Sequence, residues 1–221
     1  MQLYDLIGDI HGQATELNRL LEKLSYTKKN DIWQHENRKV IFLGDFIDRG
    51  DEQREVISIV RPMIESGSAL SVMGNHEYNA IAYYTENGQG GHFREHNKKN
   101  LKQHKAFLKA YEAHPEEYKS VIEWFKTLPF WLDLESLRVI HACWDIDLIK
   151  KLGKSLEDGV LKKSSDKSTV EFRAIETLLK GKGEKYFKAC LIKKIQSTKE
   201  HIENPQGYAE ELYNEIKNKC S

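Results

Sequence analysis

Three short apolar runs in the first 73 residues each end in a glycine-anchored polar motif. Leu3–Ile7 leads into Gly8-Asp9-Ile10-His11-Gly12. Val40–Leu43 leads into Gly44-Asp45-Phe46-Ile47-Asp48-Arg49-Gly50. Ala69–Met73 leads into Gly74-Asn75-His76-Glu77. A helix can follow each motif; after the first, Leu17, Leu20, Leu21 and Leu24 recur at helical spacing. In residues 52–66, Val56, Ile57, Val60, Met63 and Ile64 share a face, with a kink expected at Pro62 and a cap at Gly67. Alternating strand and helix predicts an α/β layered fold.

In such folds the functional loops gather beyond the carboxyl ends of the strands. Asp9, His11, Asp45 and Asn75 are therefore expected at one crevice. His141, at the end of a run predicted as a strand over Leu137–Ala142, is expected there too. Carboxylate and amide oxygens mixed with imidazoles suit Mn²⁺, Fe²⁺ or Zn²⁺. A carboxylate can bridge two such ions, and a water held between them is a nucleophile near neutral pH. Arg49 offers a planar fork for phosphate oxygens. His76 can protonate a leaving oxygen if a carboxylate holds its ring, and Asp48 is the candidate. Taken singly, an Asp beside a Gly is usually only a turn; three such motifs in order are not a coincidence of turns.

The rest of the chain carries less chemistry. Asn100–Leu128 reads as two helical pieces broken at His114-Pro115, part of a helical insertion over about 97–128. Its aromatics, Phe107, Tyr111, Tyr118, Trp124 and Phe125, read first as core. Phe130–Leu134 is a further predicted strand, a polar loop is expected at Lys162–Ser168, and residues 182–221 are expected to form a helical, charged C-terminal extension. The 221 residues carry 34 basic and 34 acidic side chains, and this zero net charge does not favour a general nucleic-acid binder. No apolar run approaches the roughly 18 residues of a membrane span. No leader is visible, and three widely spaced cysteines form neither a zinc pattern nor a disulfide framework, so a cytoplasmic protein is expected.

At these motifs the sequence resembles the phosphoprotein phosphatase branch of the calcineurin-like metallophosphoesterases, the group of bacterial Ser/Thr phosphatases and diadenosine tetraphosphatases. The resemblance covers roughly residues 1–145, within a domain expected to run over 1–181. GDxHG, GDxxDRG and GNHE stand intact. The family's later HGG is reduced to His141-Ala142-Cys143. The resemblance implies a β-sandwich flanked by helices and two divalent metal ions, Mn²⁺ first among the candidates. Asp9 and His11 would hold one ion, Asn75 and His141 the other, with Asp45 bridging. His76, oriented by Asp48, would be the general acid, and Arg49 and Asn75 would bind phosphate. The implied substrate is a phosphoserine or phosphothreonine protein or a dinucleoside polyphosphate. Specificity is expected in residues 87–99 and the helical insertion, with Tyr83, Tyr84, Phe93 and Trp144 as candidate base-stacking surfaces.

The pattern departs from the family late in the chain. No Gly-His follows His141; only His201 remains as a late histidine, and Arg173, in a predicted helix, as a late arginine. The second ion is then expected on Asp45, Asn75 and His141 with added waters. The competing reading is a non-catalytic binding protein, which would have no need of His76 and Asp48. An RNA-end phosphatase is a third reading, to which zero net charge lends little.

Overall fold

Three parallel strands, β1 (Leu3–Ile7), β4 (Arg38–Phe42) and β5 (Ala69–Ser71), form the central sheet in the order β1-β4-β5. A computed structural model of the chain describes residues 2–135, 137–153, 160–166 and 168–181. The register aligns the strand ends. Ile7 pairs with Phe42, and Phe42 with Ser71, so the three polar motifs leave the sheet side by side.

The other elements are α1 (Ala14–Lys23), the hairpin β2 (Thr27–Lys29) and β3 (Ile32–Gln34), α2 (Gln53–Glu65), α3 (Asn75–Tyr84), α4 (Lys98–Tyr111), α5 (Pro115–Thr127), the hairpin β6 (Trp131–Asp133) and β7 (Arg138–Ile140), α6 (Ile146–Leu152), α7 (Val160–Ser164) and α8 (Val170–Lys180). Asn30 and Asp31, both at positive φ, turn the first hairpin. Gly67, also at positive φ, follows the C-cap of α2, and that helix continues through Pro62.

The sheet has two covered faces. On one, Ile7, Val40 and Phe42 join a core that includes Leu17 and Leu21 of α1 and Val56, Val60 and Met63 of α2. Each fully buried aliphatic side chain contributes about 1.5–3 kcal/mol. On the other, Ile41 packs with Val72, Leu132 and Val139, which sets the β6–β7 hairpin against the sheet. The fold is thus a parallel sheet with helices on one side and a second small sheet on the other. This joins the layered α/β expectation to the sandwich implied by the resemblance.

Several boundaries differ from the sequence reading. β5 ends at Ser71; the Val72 amide still donates to the Phe42 carbonyl at 3.1 Å, and the Met73 amide turns to the Pro129 carbonyl at 2.8 Å. Leu20 of α1 is exposed, off the buried stripe. Val160–Ser164 is helical where a loop was expected from Lys162, and the Ser164 hydroxyl meets the Tyr78 hydroxyl. After residue 145 the described elements are helices alone. Residues 182–221, and His201 with them, lie outside the described residues.

Two glycines set how closely the loops cross. Gly44 has φ +87°, and a Cβ there would strike the backbone of Gly74. Gly44→Ala is expected to cost about 3 kcal/mol or more, because backbone on both sides leaves nothing to yield. A chemical-denaturation midpoint measured beside wild type checks this; an unchanged midpoint contradicts it.

Candidate active site

The first two loops are stitched by their backbones, and the third is tied to them by the side chains of Glu77 and Asp45. The amides of Ile10 and His11 both donate to the Asp45 carbonyl at 3.0 Å, and Gly12 donates to the Phe46 carbonyl at 2.8 Å. Gly50 returns a bond to the His11 carbonyl at 2.9 Å. This network holds His11, Asp45, Asp48 and Arg49 at positive φ. Non-glycine residues reach that region only when their surroundings over-determine it, as at functional sites.

Asp45 is the hub. One carboxylate oxygen, Oδ1, accepts the His76 backbone amide at 3.0 Å. The other, Oδ2, faces three imidazole nitrogens: His141 Nε2 at 3.5 Å, His11 Nε2 at 3.8 Å and His76 Nε2 at 3.9 Å. Asp9 Oδ2 lies 3.6 Å from His11 Nε2, and Asn75 Oδ1 lies 3.3 Å from His141 Nε2. The structure brings Asp9, His11, Asp45, Asn75, His76 and His141 to one place. In each of two sets, His11, Asp45 and His76, and Asp9, Asp45 and His141, the ligand-type atoms lie within 4.8 Å of one another.

The donor chemistry fits cations. His11 Nδ1 faces the Ile47 carbonyl at 2.8 Å, so that nitrogen carries the proton and Nε2 presents a lone pair. Nε2 is buried and has no hydrogen-bond partner among the described residues. It points instead among carboxylate oxygens, which only accept. His141 is built alike, with Nδ1 donating to the Leu43 carbonyl at 2.6 Å. Carbonyl anchoring of the far nitrogen is the usual support of a metal-binding histidine. Burial pulls the His141 pKa down, but the hydrogen bond and charge of Asp45, the Leu43 carbonyl and the charge of Glu77 outweigh it and raise it to about 9. An acid-rich cluster that recruits a proton this strongly also recruits a metal ion.

His76 stands at the N-terminal end of α3 and is held differently. Its Nδ1 donates to Asp48 Oδ2 at 2.6 Å. Asp48 is buried, which raises its pKa. Hydrogen bonds from His104 and His76 and their charges prevail, so it stays below the ordinary carboxylate range. Burial lowers the His76 pKa, but the Asp48 hydrogen bond and the charges of Asp45, Asp48 and Glu77 carry it above the ordinary value. The pair is a carboxylate whose charge is favoured, holding a ring whose protonated form it favours in turn. Arg49 is exposed and lines a cleft of about 690 Å³ together with His76.

Three supporting residues escaped the sequence reading. Glu77 is fully buried and accepts the amides of Asp45 at 2.8 Å, Phe46 at 2.8 Å and Gly74 at 3.0 Å. Burial first, then the charge of Asp45, raise its pKa to about 7. Gln53 accepts the Asp48 amide at 2.8 Å. His104, from α4, gives its Nδ1 proton to the second Asp48 oxygen at 2.9 Å. Among the candidate stacking rings, Tyr83 lies on His96 at 3.8 Å, Tyr84 packs on Tyr118, and Trp144 lies under Arg138. Each of these rings packs on a neighbour within the chain, and Tyr83 and Tyr84 also line a second cleft of about 620 Å³ with His92 and His96. Arg173 is exposed on α8 and does not line the cleft that Arg49 and His76 share.

The profile of the calcineurin-like phosphoesterase family matches residues 4–173. The chain belongs to the calcineurin-like phosphoesterases. Among these phosphoesterases, proteins named bis(5'-nucleosyl)-tetraphosphatase PrpE (asymmetrical) are its relatives. The one from Oceanobacillus iheyensis is 33% identical over 172 residues, covering 71% of this chain and 62% of that protein. The one from Bacillus subtilis is 36% identical over 166 residues, covering 72% and 64%. The chain thus spans somewhat under two thirds of the length of these relatives. A solved cold-active protein tyrosine phosphatase shares the fold, with a TM-score of 0.50 at 16% identity, over 79% of this chain and 52% of that one. Among the described residues no helix is long and apolar enough to cross a membrane.

Proposed function

We propose that this phosphoesterase hydrolyses a phosphoanhydride of a dinucleoside polyphosphate in the cytoplasm. The observation that carries the reading is the pairing of two differently held imidazole sets. His11 and His141 each give Nδ1 to a backbone carbonyl and turn Nε2 toward Asp45, while His76 gives Nδ1 to the Asp48 carboxylate, which favours the protonated ring beside the same centre. The first set suits cations and the second suits acid catalysis. The names of the two relatives favour the nucleotide over a phosphoprotein.

Asp9, His11, Asp45, Asn75 and His141 would hold two divalent ions, with Mn²⁺ the first choice and Fe²⁺ or Zn²⁺ the alternatives. Such ions supply charge neutralisation at phosphate oxygens and activation of water near neutral pH. The chain's own groups do the rest. Arg49 takes phosphate oxygens in its planar fork, and the Asn75 amide adds a neutral contact. His76 Nε2 donates a hydrogen bond to the bridging oxygen as its bond to phosphorus breaks, offsetting the charge that develops there and supplying the proton where the leaving oxygen is basic. Asp48 keeps the ring aimed and stabilises its charge before transfer.

The test is hydrolysis of diadenosine tetraphosphate with added Mn²⁺, with products separated by ion exchange. One mononucleotide and one nucleoside triphosphate support asymmetrical cleavage, in line with the names of the relatives. No Mn²⁺-dependent hydrolysis of this substrate or of an aryl phosphate would sink the reading in favour of a binding protein.

A further inference from the structure

The cleft beside His76 has a second wall that no step above uses. It is lined by Arg49, Asp51 and His76 on one side and by Lys102, Gln103, Lys105, Ala106 and Lys109 of α4 on the other. Spacings of three and four residues put the three lysines on one face of the helix. The opposite face is anchored, with His104, Phe107 and Tyr111 buried. The lysines are exposed, and none makes an ion pair among the described residues, whereas Lys126, Lys163 and Lys180 each have a carboxylate partner. Four basic side chains thus face this cleft against one carboxylate, Asp51.

A row of lysines on a helix is commonly just a solvated face. Here three features argue otherwise. The row opens onto the cleft that holds Arg49 and His76. From Lys102 to Lys109 it extends roughly 10 Å along the helix axis. The wall carries no aromatic side chain other than the His76 ring, so it offers charge and hydrogen bonds but no stacking platform for a base.

We infer that Lys102, Lys105 and Lys109 form a subsite for the polyphosphate chain of the substrate, beyond the phosphate that Arg49 and His76 address. The inference rests on the proposed phosphoanhydride hydrolysis and assigns this chain's own residues to substrate length. Phosphates remote from the reacting one lie along α4, and the nucleosides project past the cleft. Binding energy is then collected from groups that a monophosphate lacks, which discriminates a long polyanion from a short one.

The experiment uses the full chain with Lys102, Lys105 and Lys109 all changed to Ala. All three are exposed, so the fold should tolerate the change; circular dichroism checks it. With Mn²⁺ present, the ratio of kcat/KM for diadenosine tetraphosphate to kcat/KM for an aryl phosphate is expected to fall about tenfold or more, mainly through KM. The loss should shrink as salt is raised. A ratio unchanged within twofold overturns the subsite. If wild type hydrolyses neither compound, the phosphoesterase reading fails on its own. Calorimetric binding of inorganic tripolyphosphate to wild type and variant then decides the subsite. A dissociation constant about tenfold weaker in the variant supports it, and equal constants overturn it.

Discussion

Asp45→Asn is expected to abolish tight Mn²⁺ binding and to lower kcat/KM by roughly a thousandfold or more. The substitution keeps shape: the Oδ1 position can still accept the His76 amide, and the side chain still fits its buried place. What disappears is the charge on the oxygen that faces His11, His76 and His141 at 3.5–3.9 Å. An amide in that place bridges two cations poorly, and its NH₂ could be turned toward the imidazoles. The loss should therefore appear in calorimetric Mn²⁺ titration and in turnover, with little change in thermal stability measured in the presence of chelator. Retained Mn²⁺ affinity in a folded Asp45→Asn protein would remove Asp45 from the centre of the site.

Glu77→Gln should be damaging through the backbone rather than through chemistry on substrate. Glu77 Oε2 accepts the amides of Asp45 and Gly74, and Oε1 accepts that of Phe46, with no solvent access. A glutamine has one carbonyl oxygen. Its NH₂ group must face at least one backbone N–H, donor against donor, in a buried setting. Each unsatisfied buried group costs about 1–3 kcal/mol. A total loss of about 3–5 kcal/mol is expected, or a fall in melting temperature on the order of 10 °C. Asp45 and Gly74 belong to neighbouring loops, so Mn²⁺ affinity should fall too. A Glu77→Gln protein that melts within a degree of wild type would contradict this account.

Glu77 also shows what sequence could and could not reveal. The three motif loops were legible because apolar runs, glycines and polar ligand types sit next to one another along the chain. Their convergence follows from parallel strands whose ends are in register, which alternation of strand and helix already implies. The roles of Glu77, Gln53 and His104 were not legible. The Gly74 bond of Glu77 is a local capping contact three residues back, but its bonds to Asp45 and Phe46 and those of Gln53 and His104 depend on which amide or carboxylate a buried side chain meets across 5 to 56 residues, and no local pattern encodes that. In the sequence His104 is one polar position in a lysine-rich segment. Only the packing of Phe107 and Tyr111 on the same helix turns it inward to Asp48. The β2–β3 hairpin went unread although Asn30-Asp31 suits its turn, because three-residue strands leave too short an alternation to recognise.

The measurement that tests the central claim most directly compares wild type with His76→Asn on two phosphate esters, one with an alkyl and one with an acidic aryl leaving group. Both reactions should require added Mn²⁺. On the alkyl ester the variant should lose roughly 10²–10⁴-fold in kcat, because that oxygen cannot leave without a proton. On the aryl ester the loss should be much smaller, since its oxygen leaves as the anion. Equal losses on the two esters, or turnover indifferent to Mn²⁺, would contradict an acid-assisted metal centre built around Asp45, Asp48 and His76.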